Sequence, residues 1–282
     1  MNKEIKNKIA FFGTPALCLP ILESLKENDL TPCVIISQQD KPSGRGMKIS
    51  PPTVKIWAEK NNIPVLQPQK LNDDFLNQLK EYYCDIFIVV AYGRIIPENI
   101  INLPSHGTIN VHYSLLPKHR GASPVEGAIL AGDSQTGVAI QKMVFALDEG
   151  PIIKEVKIDI DEKELKPSLF GRLNKIASDI LPSVVESIFN GSAKYKEQDS
   201  RHASYSFKWK KEDTEIYETD DEIYRWKKFR AFVGWPGVFT VKNNIRLKIT
   251  DADFIDEKFI IKKVIPEAKK ETNFDLWLKT NS

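Results

Sequence analysis

Ile9-Ala10-Phe11-Phe12-Gly13-Thr14-Pro15 is the stretch that decides the fold. A continuous apolar run is cut by Gly13-Thr14-Pro15, after which Leu17, Ile21, Leu22 and Leu25 recur at helical spacing. Pro32 to Ile36 is the next apolar run, so the chain opens strand, helix, strand, and that unit implies a parallel sheet. Gly13 stands alone where a dinucleotide-binding turn needs Gly-x-Gly-x-x-Gly, which argues against a nicotinamide or flavin enzyme. Working outward, Val54–Lys60 and Phe75–Leu79 read as helices and Ile63–Leu66 as a short strand. Asp85–Val90 is apolar at every residue after Asp85, as expected of a strand at the centre of a doubly wound sheet. Thr108–Tyr113 and Thr136–Met143 extend the series. The class is α/β with a Rossmann-like, mostly parallel sheet.

Within Thr108–Tyr113, Asn110 and His112 lie two residues apart, so a strand sends both side chains to one face. Burying two polar groups without partners costs roughly 1–3 kcal/mol each. Either each finds a backbone partner, or an amide and an imidazole converge on one reacting atom. Downstream, Ser123-Pro124 reads as an N-cap followed by proline at the first helical position. Asp148 falls in the turn Leu147-Asp148-Glu149-Gly150, past the Thr136–Met143 strand, within reach of a neighbouring strand. An amide, an imidazole and a carboxylate at adjacent strand ends suit acyl transfer.

The segment INVHYSLLPKHRGASPVEGAILAGDSQTGVAIQKMVFALDEGPII resembles the core of the folate-dependent formyltransferases, which carry Asn-x-His before Ser-Leu-Leu-Pro and an Asp in a Leu-Asp-x-Gly turn. The branch it is most similar to acts on methionyl-tRNA. The resemblance implies that Asn110, His112 and Asp148 are catalytic, with 10-formyltetrahydrofolate as formyl donor and initiator methionyl-tRNA as acceptor. It also implies that Ala91-Tyr92-Gly93-Arg94-Ile95-Ile96, Ser114-Leu115-Leu116-Pro117 and Val144 line the folate site. Ligands in such sheets sit beyond the carboxyl ends of strands, where all three segments fall.

Asp40–Lys48 is a basic, glycine-broken loop without the Gly-Lys-Ser/Thr of a phosphate-binding P-loop. Its pattern is similar to the loop that the tRNA-specific branch uses against the acceptor end. Lys41, Arg45 and Lys48 in this loop (38–50), with Lys118, Arg120, Lys208, Lys210 and Lys211, are therefore the expected tRNA contacts. An acceptor of the amino-sugar-nucleotide type is the alternative, and those enzymes generally lack such a loop.

Composition sets the remaining bounds. The chain has 282 residues, 41% of them hydrophobic and 28% charged, with a formal net charge of +2, so a nucleic-acid argument must rest on local clusters. Three cysteines beside apolar runs fit reduced residues of a cytoplasmic protein. No run approaches a membrane span, and His106, His112 and His119 lack partners at zinc spacing, so neither membrane nor metal is expected. DNA is not expected as a partner either, and a monomer is. His106 and His119 read as surface residues.

Leu169, Leu173, Ile176, Ile180, Val184 and Ile188 predict an amphipathic helix over 168–189, kinked at Pro182 and stopped by Gly191. Ala193–Lys211 reads as a linker, giving a catalytic domain over 1–200 and a second domain over 201–282. The Arg230–Gly237 stretch resembles the opening of the family's OB-type barrel. Only Val238–Lys242, Ile245–Ile249 and Phe259–Val264 read as strands after it, so a shortened OB-like domain is expected.

Overall fold

The structure, a computed structural model, describes residues 7–43 and 48–281. In chain order its elements are β1 (Ile9–Gly13), α1 (Cys18–Glu27), β2 (Val34–Ile36), β3 (Lys41–Ser43), β4 (Lys48–Ser50), α2 (Thr53–Lys60), β5 (Val65–Leu66) and α3 (Asp73–Lys80). Next come β6 (Ile86–Val90), α4 (Glu98–Ile101), β7 (Thr108–His112), β8 (Arg120–Gly121), α5 (Pro124–Ala131), β9 (Gln135–Lys142), β10 (Ile152–Asp159) and α6 (Lys166–Phe189). The chain closes with β11 (Tyr205–Ser206), α7 (Glu222–Phe232), β12 (Val238–Lys242), β13 (Ile245–Ile255), β14 (Lys258–Pro266), β15 (Thr272–Asn273) and α8 (Phe274–Asn281).

Seven strands form one sheet in the order β10-β9-β7-β6-β1-β2-β5. β1 pairs in parallel with β2 and β6, β2 with β5 and β6 with β7, whereas β9 returns antiparallel to β7. Every residue of β1 and β6 is buried, which is what a strand covered on both faces requires. One face carries Phe12, Phe87, Tyr92, Phe75, Leu79 and Ile96 in a single cluster. Phe12 meets Phe87 at 5.3 Å and Tyr92 edge-on at 5.4 Å between ring centroids. Burying such a side chain contributes roughly 1.5–3 kcal/mol. Asn72 caps α3 by accepting from the Phe75 amide at 3.3 Å. Ser123 occupies the N-cap of α5 ahead of Pro124, but its side chain makes no capping bond.

β10 was not anticipated. Its burial alternates weakly, and Lys154, Glu155, Lys157 and Asp159 give it no apolar run to read. It survives as the edge strand, where charges are tolerated and blunt unwanted pairing.

The backbone clusters into two compact units. The first comprises Met1–Arg120, Gly137–Val156 and Leu173–Ala203; the second comprises Gly121–Thr136, Lys157–Arg172 and Ser204–Ser282. In the second, β12-β13-β14-β15 form an antiparallel sheet against which α7 packs Trp226 and Phe229. Trp226 stacks on Phe254 at 6.1 Å, and Phe229 lies 6.0 Å from Phe259. Four strands stand where the sequence shows three. β15 is a polar two-residue strand, and β13 runs on to Ile255 through an irregularity near Asp251. Among the described residues this sheet is open, short of a five-stranded barrel. No helix among them is long and apolar enough to cross a membrane.

Candidate active site

β7 is clamped between β6 and β9, with Asn110 opposite Val89 on one side and Gln141 on the other. His112 faces Ala139, whose small side chain leaves the imidazole room. Asn110 and His112 share one strand face, and the Met143–Gly150 excursion that follows β9 brings Asp148 back to both of them. That excursion closes with the Lys142 amide donating to the Pro151 carbonyl at 2.9 Å. It needs glycine at Gly150, because a Cβ there would collide with the Lys142 carbonyl. Asp148 sits at its tip in the left-handed region, φ 52°, which aspartate tolerates better than most residues.

Asp148 is the hub. Its Oδ1 accepts from Gln141 Nε2 at 2.8 Å and from Asn110 Nδ2 at 3.4 Å, and its Oδ2 stands 3.7 Å from His112 Nδ1. His112 is 4% exposed, and its Nε2 lies 2.9 Å from the carbonyl oxygen of His119. A carbonyl only accepts, so Nε2 carries the proton and Nδ1 is the nitrogen turned toward the Asp148 carboxylate. The structure thus brings together Asn110, His112 and Asp148. His112 has a backbone partner at Nε2 and turns Nδ1 to a carboxylate, whereas half-buried Asn110 reaches a side chain, Asp148.

His119 itself is buried, against the surface position expected from its basic neighbours. It takes φ 55° so that its carbonyl can point back to His112. Arg120, read from sequence as a tRNA contact, is 1% exposed. Its Nε and Nη2 donate to Gln198 Oε1 at 3.1 and 2.9 Å, Nη2 also to Ser200 Oγ at 3.2 Å, and Nη1 pairs with Glu149 at 3.0 Å. A guanidinium held this way is an internal strut, with no free edge for a phosphate.

Gln198 completes the arrangement. Its Nε2 donates to the carbonyls of Asp148 at 2.8 Å and Gly150 at 2.7 Å, while its Oε1 receives Arg120. The turn carrying Asp148 is held from below by a residue 50 positions later. Sequence reading missed both glutamines. Gln141 left a signal, a polar residue directly after the apolar run Val138-Ala139-Ile140; Gln198, in a polar stretch, left none.

The expected folate-lining segments divide. Tyr92, Ile96 and Leu116 are buried in apolar clusters, buried Ser114 donates to the Lys118 carbonyl at 2.6 Å, and the Tyr92 carbonyl accepts from Gln38 Nε2 at 2.7 Å. Ala91, Gly93, Ile95 and Val144 are exposed, Ile95 at 85%, while Leu115 and Pro117 are half-buried. Ala91 at φ 45° and Gly93 at φ 76° shape the loop, and Arg94 fastens it to the carbonyls of Pro68 and Gln69 at 2.8 and 3.0 Å.

The expected tRNA loop is a hairpin of β3 and β4, with Lys41 opposite Ser50. Arg45 and the side chain of Lys48 lie outside the described residues. The base of the hairpin is fastened by Asp40, which accepts from Gln67 at 2.8 Å and pairs with Lys55 at 3.0 Å. Lys41 and Lys118 are exposed in the first unit; Lys208, Lys210 and Lys211 are exposed in the second. Among the described residues no group of three His, Cys, Asp or Glu could hold a metal ion.

Residues 7–185 match the model of the family described as formyl transferase. The chain is 38% identical over 250 residues to the methionyl-tRNA formyltransferase of Thermotoga maritima, an alignment covering 88% of this chain and 80% of that protein. It is 35% identical over 249 residues to the methionyl-tRNA formyltransferase of Legionella pneumophila, covering 88% and 79%. Among solved structures it is similar to the methionyl-tRNA formyltransferase from Clostridium thermocellum, with TM-score 0.63, 18% identity and coverage of 92% and 99%. A sugar 3N-formyl transferase solved with dTDP and 5-N-formyl-THF superposes with TM-score 0.67, 21% identity and coverage of 94% and 99%. At those identities the two structures speak to the fold alone.

Proposed function

Because the chain belongs to the formyl transferase family and, within it, to the methionyl-tRNA formyltransferases, we propose that it transfers the formyl group of 10-formyltetrahydrofolate to the amino group of initiator methionyl-tRNA in the cytoplasm. The convergence of Asn110, His112 and Asp148 on one side of β7 carries this reading. The amine adds to the formyl carbon, forming a tetrahedral oxyanion. Asn110 Nδ2 and the Nδ1–H of protonated His112 donate to it, each such donor being worth about 2.7–4 kcal/mol of barrier. Asp148, its Oδ2 3.7 Å from Nδ1, orients the imidazole. The proton that the amine gives up reaches N10 of the folate by way of Asp148 and a water, as the bond from the formyl carbon to N10 breaks.

The loop Ala91–Ile96 and the Ser114–Pro117 turn hold the folate, mainly through backbone, with Val144 on the rim. Lys41, Arg45, Lys48, Lys118, Lys208, Lys210 and Lys211 meet tRNA phosphates, which supply affinity without reading bases.

The test is incubation of the purified protein with 10-formyltetrahydrofolate and charged initiator methionyl-tRNA, with Asn110→Ala alongside. Formylmethionine on the tRNA, lost in the variant, is the expected result. Folate binding without formylation of tRNA would overturn the acceptor and direct the same assay to nucleotide-linked amino sugars.

A further inference from the structure

Cys33 directly precedes β2 and Cys84 lies two residues ahead of β6, the two strands that flank β1, and their Sγ atoms lie 3.5 Å apart. Both are half-buried, so small reagents have access to a pair already in contact. Lys8, just ahead of β1, donates its backbone amide to Asp85 Oδ2 at 2.7 Å and holds its ammonium 5.7 Å from the Tyr83 ring centroid. The pair therefore sits at the amino-terminal ends of three adjacent parallel strands, whereas Asn110, His112 and Asp148 lie toward the opposite ends.

We propose that Cys33 and Cys84 form a peroxide-oxidisable dithiol, in which Cys33 is the reacting sulfur and Cys84 the resolving one. The Cys33 thiolate attacks one oxygen of hydrogen peroxide and breaks the O–O bond. Cys33 sulfenic acid forms, and the other oxygen leaves as water after taking a proton. The Cys84 sulfur then displaces the sulfenic hydroxyl, which leaves as a second water with the Cys84 proton. The result is a disulfide, two thiols being oxidised while one peroxide is reduced to two waters.

The two sulfurs are electrostatically unlike. The hydrogen bond from the Cys84 thiol, aided by the Lys8 charge and opposed by burial, holds the Cys33 thiol down at about 7. The same bond and burial push Cys84 up, so Cys84 keeps its proton until Cys33 has reacted. Cys18 is the built-in control: fully buried, its Sγ 3.4 Å from the Val90 carbonyl, it is pushed up to about 12 by burial. Closing the pair also shields Cys33, because a sulfenic acid with a thiol in contact condenses before a second peroxide takes it to the irreversible sulfinic acid.

The experiment treats the full-length reduced protein with stoichiometric peroxide and follows intact mass and peptide maps. The expected product is lighter by two hydrogens, links the Cys33 and Cys84 peptides, leaves Cys18 as thiol and regains its mass with dithiothreitol. In Cys84→Ser, the same dose is expected to stop at Cys33 sulfenic acid, trapped with dimedone, and a second equivalent of peroxide to carry it to sulfinic acid that dithiothreitol does not recover. Sulfinic acid at Cys33 in the unsubstituted protein, or oxidation of Cys18 at a comparable rate, would overturn the proposal. The readout does not pass through formyl transfer, so it stands or falls independently of the proposed activity.

Discussion

Gln198 Nε2 donates to the carbonyl oxygen of Asp148 at 2.8 Å, and the same amide receives the buried Arg120. Asp148 holds a left-handed backbone that only its surroundings maintain. Gln198→Ala is expected to lower kcat roughly 10–100-fold, the scale of a small misplacement of a reacting group, with KM for folate and tRNA nearly unchanged. Gln198→Glu should do no better, because a carboxylate cannot donate to the Asp148 and Gly150 carbonyls. Steady-state kinetics of both variants provide the check; a rise in KM at constant kcat would exclude the positioning role.

Asn110→Ala should reduce turnover by roughly 10²–10³ while folate binding is largely kept, since the lost donor acts on the oxyanion. Single-turnover formylation beside a folate titration separates the two quantities. Unchanged turnover would remove the oxyanion role.

Arg120→Ala should cost about 2–4 kcal/mol of stability, combining a cavity with an unpaired Gln198 acceptor. Arg120→Lys should recover little of it, because an ammonium cannot reproduce the forked contacts to Gln198, Ser200 and Glu149. Urea denaturation measures both. The salt dependence of tRNA binding, taken at a temperature where the variants remain folded, should be unchanged; a smaller slope would return Arg120 to the phosphate contacts.

Substituting Lys41 or Arg45 by alanine should raise KM for tRNA much more than KM for folate, and should flatten the salt dependence of tRNA binding. Equal effects on both substrates would make the hairpin a structural element.

Iodoacetamide labelling of Cys33 should follow its thiolate, rising with pH to a plateau around a midpoint of about 7, well below the ordinary thiol value of 9.0. Below that midpoint the sulfur is protonated and labelling slows. A midpoint near 9 would show that Cys84 and Lys8 do not hold the thiolate.

The parallel core was readable in sequence because fully covered strands are unbroken apolar runs, as in Ile9–Phe12 and Ile86–Val90. The period-two spacing of Asn110 and His112 gave their shared face for the same reason, that strand geometry is local. What escaped was non-local. β10 is an edge strand with charges on it, and nothing in Gln198 announces a partner 50 positions earlier. His119 and Arg120 looked like surface because basic residues usually are; their burial depends on a backbone carbonyl aimed at His112 and on a pocket of acceptors that the sequence does not display.

The clamp on Asp148 also has an order in time. β7, β9 and the Asp148 turn leave the ribosome well before residue 198, and until Gln198 follows, the Asp148 and Gly150 carbonyls lack its amide. A nascent chain therefore carries all three converging side chains without the brace that fixes one of them. Protein ending at residue 185, where the family match stops, would stay in that unbraced condition permanently, with its sheet strands complete and its acidic turn loose.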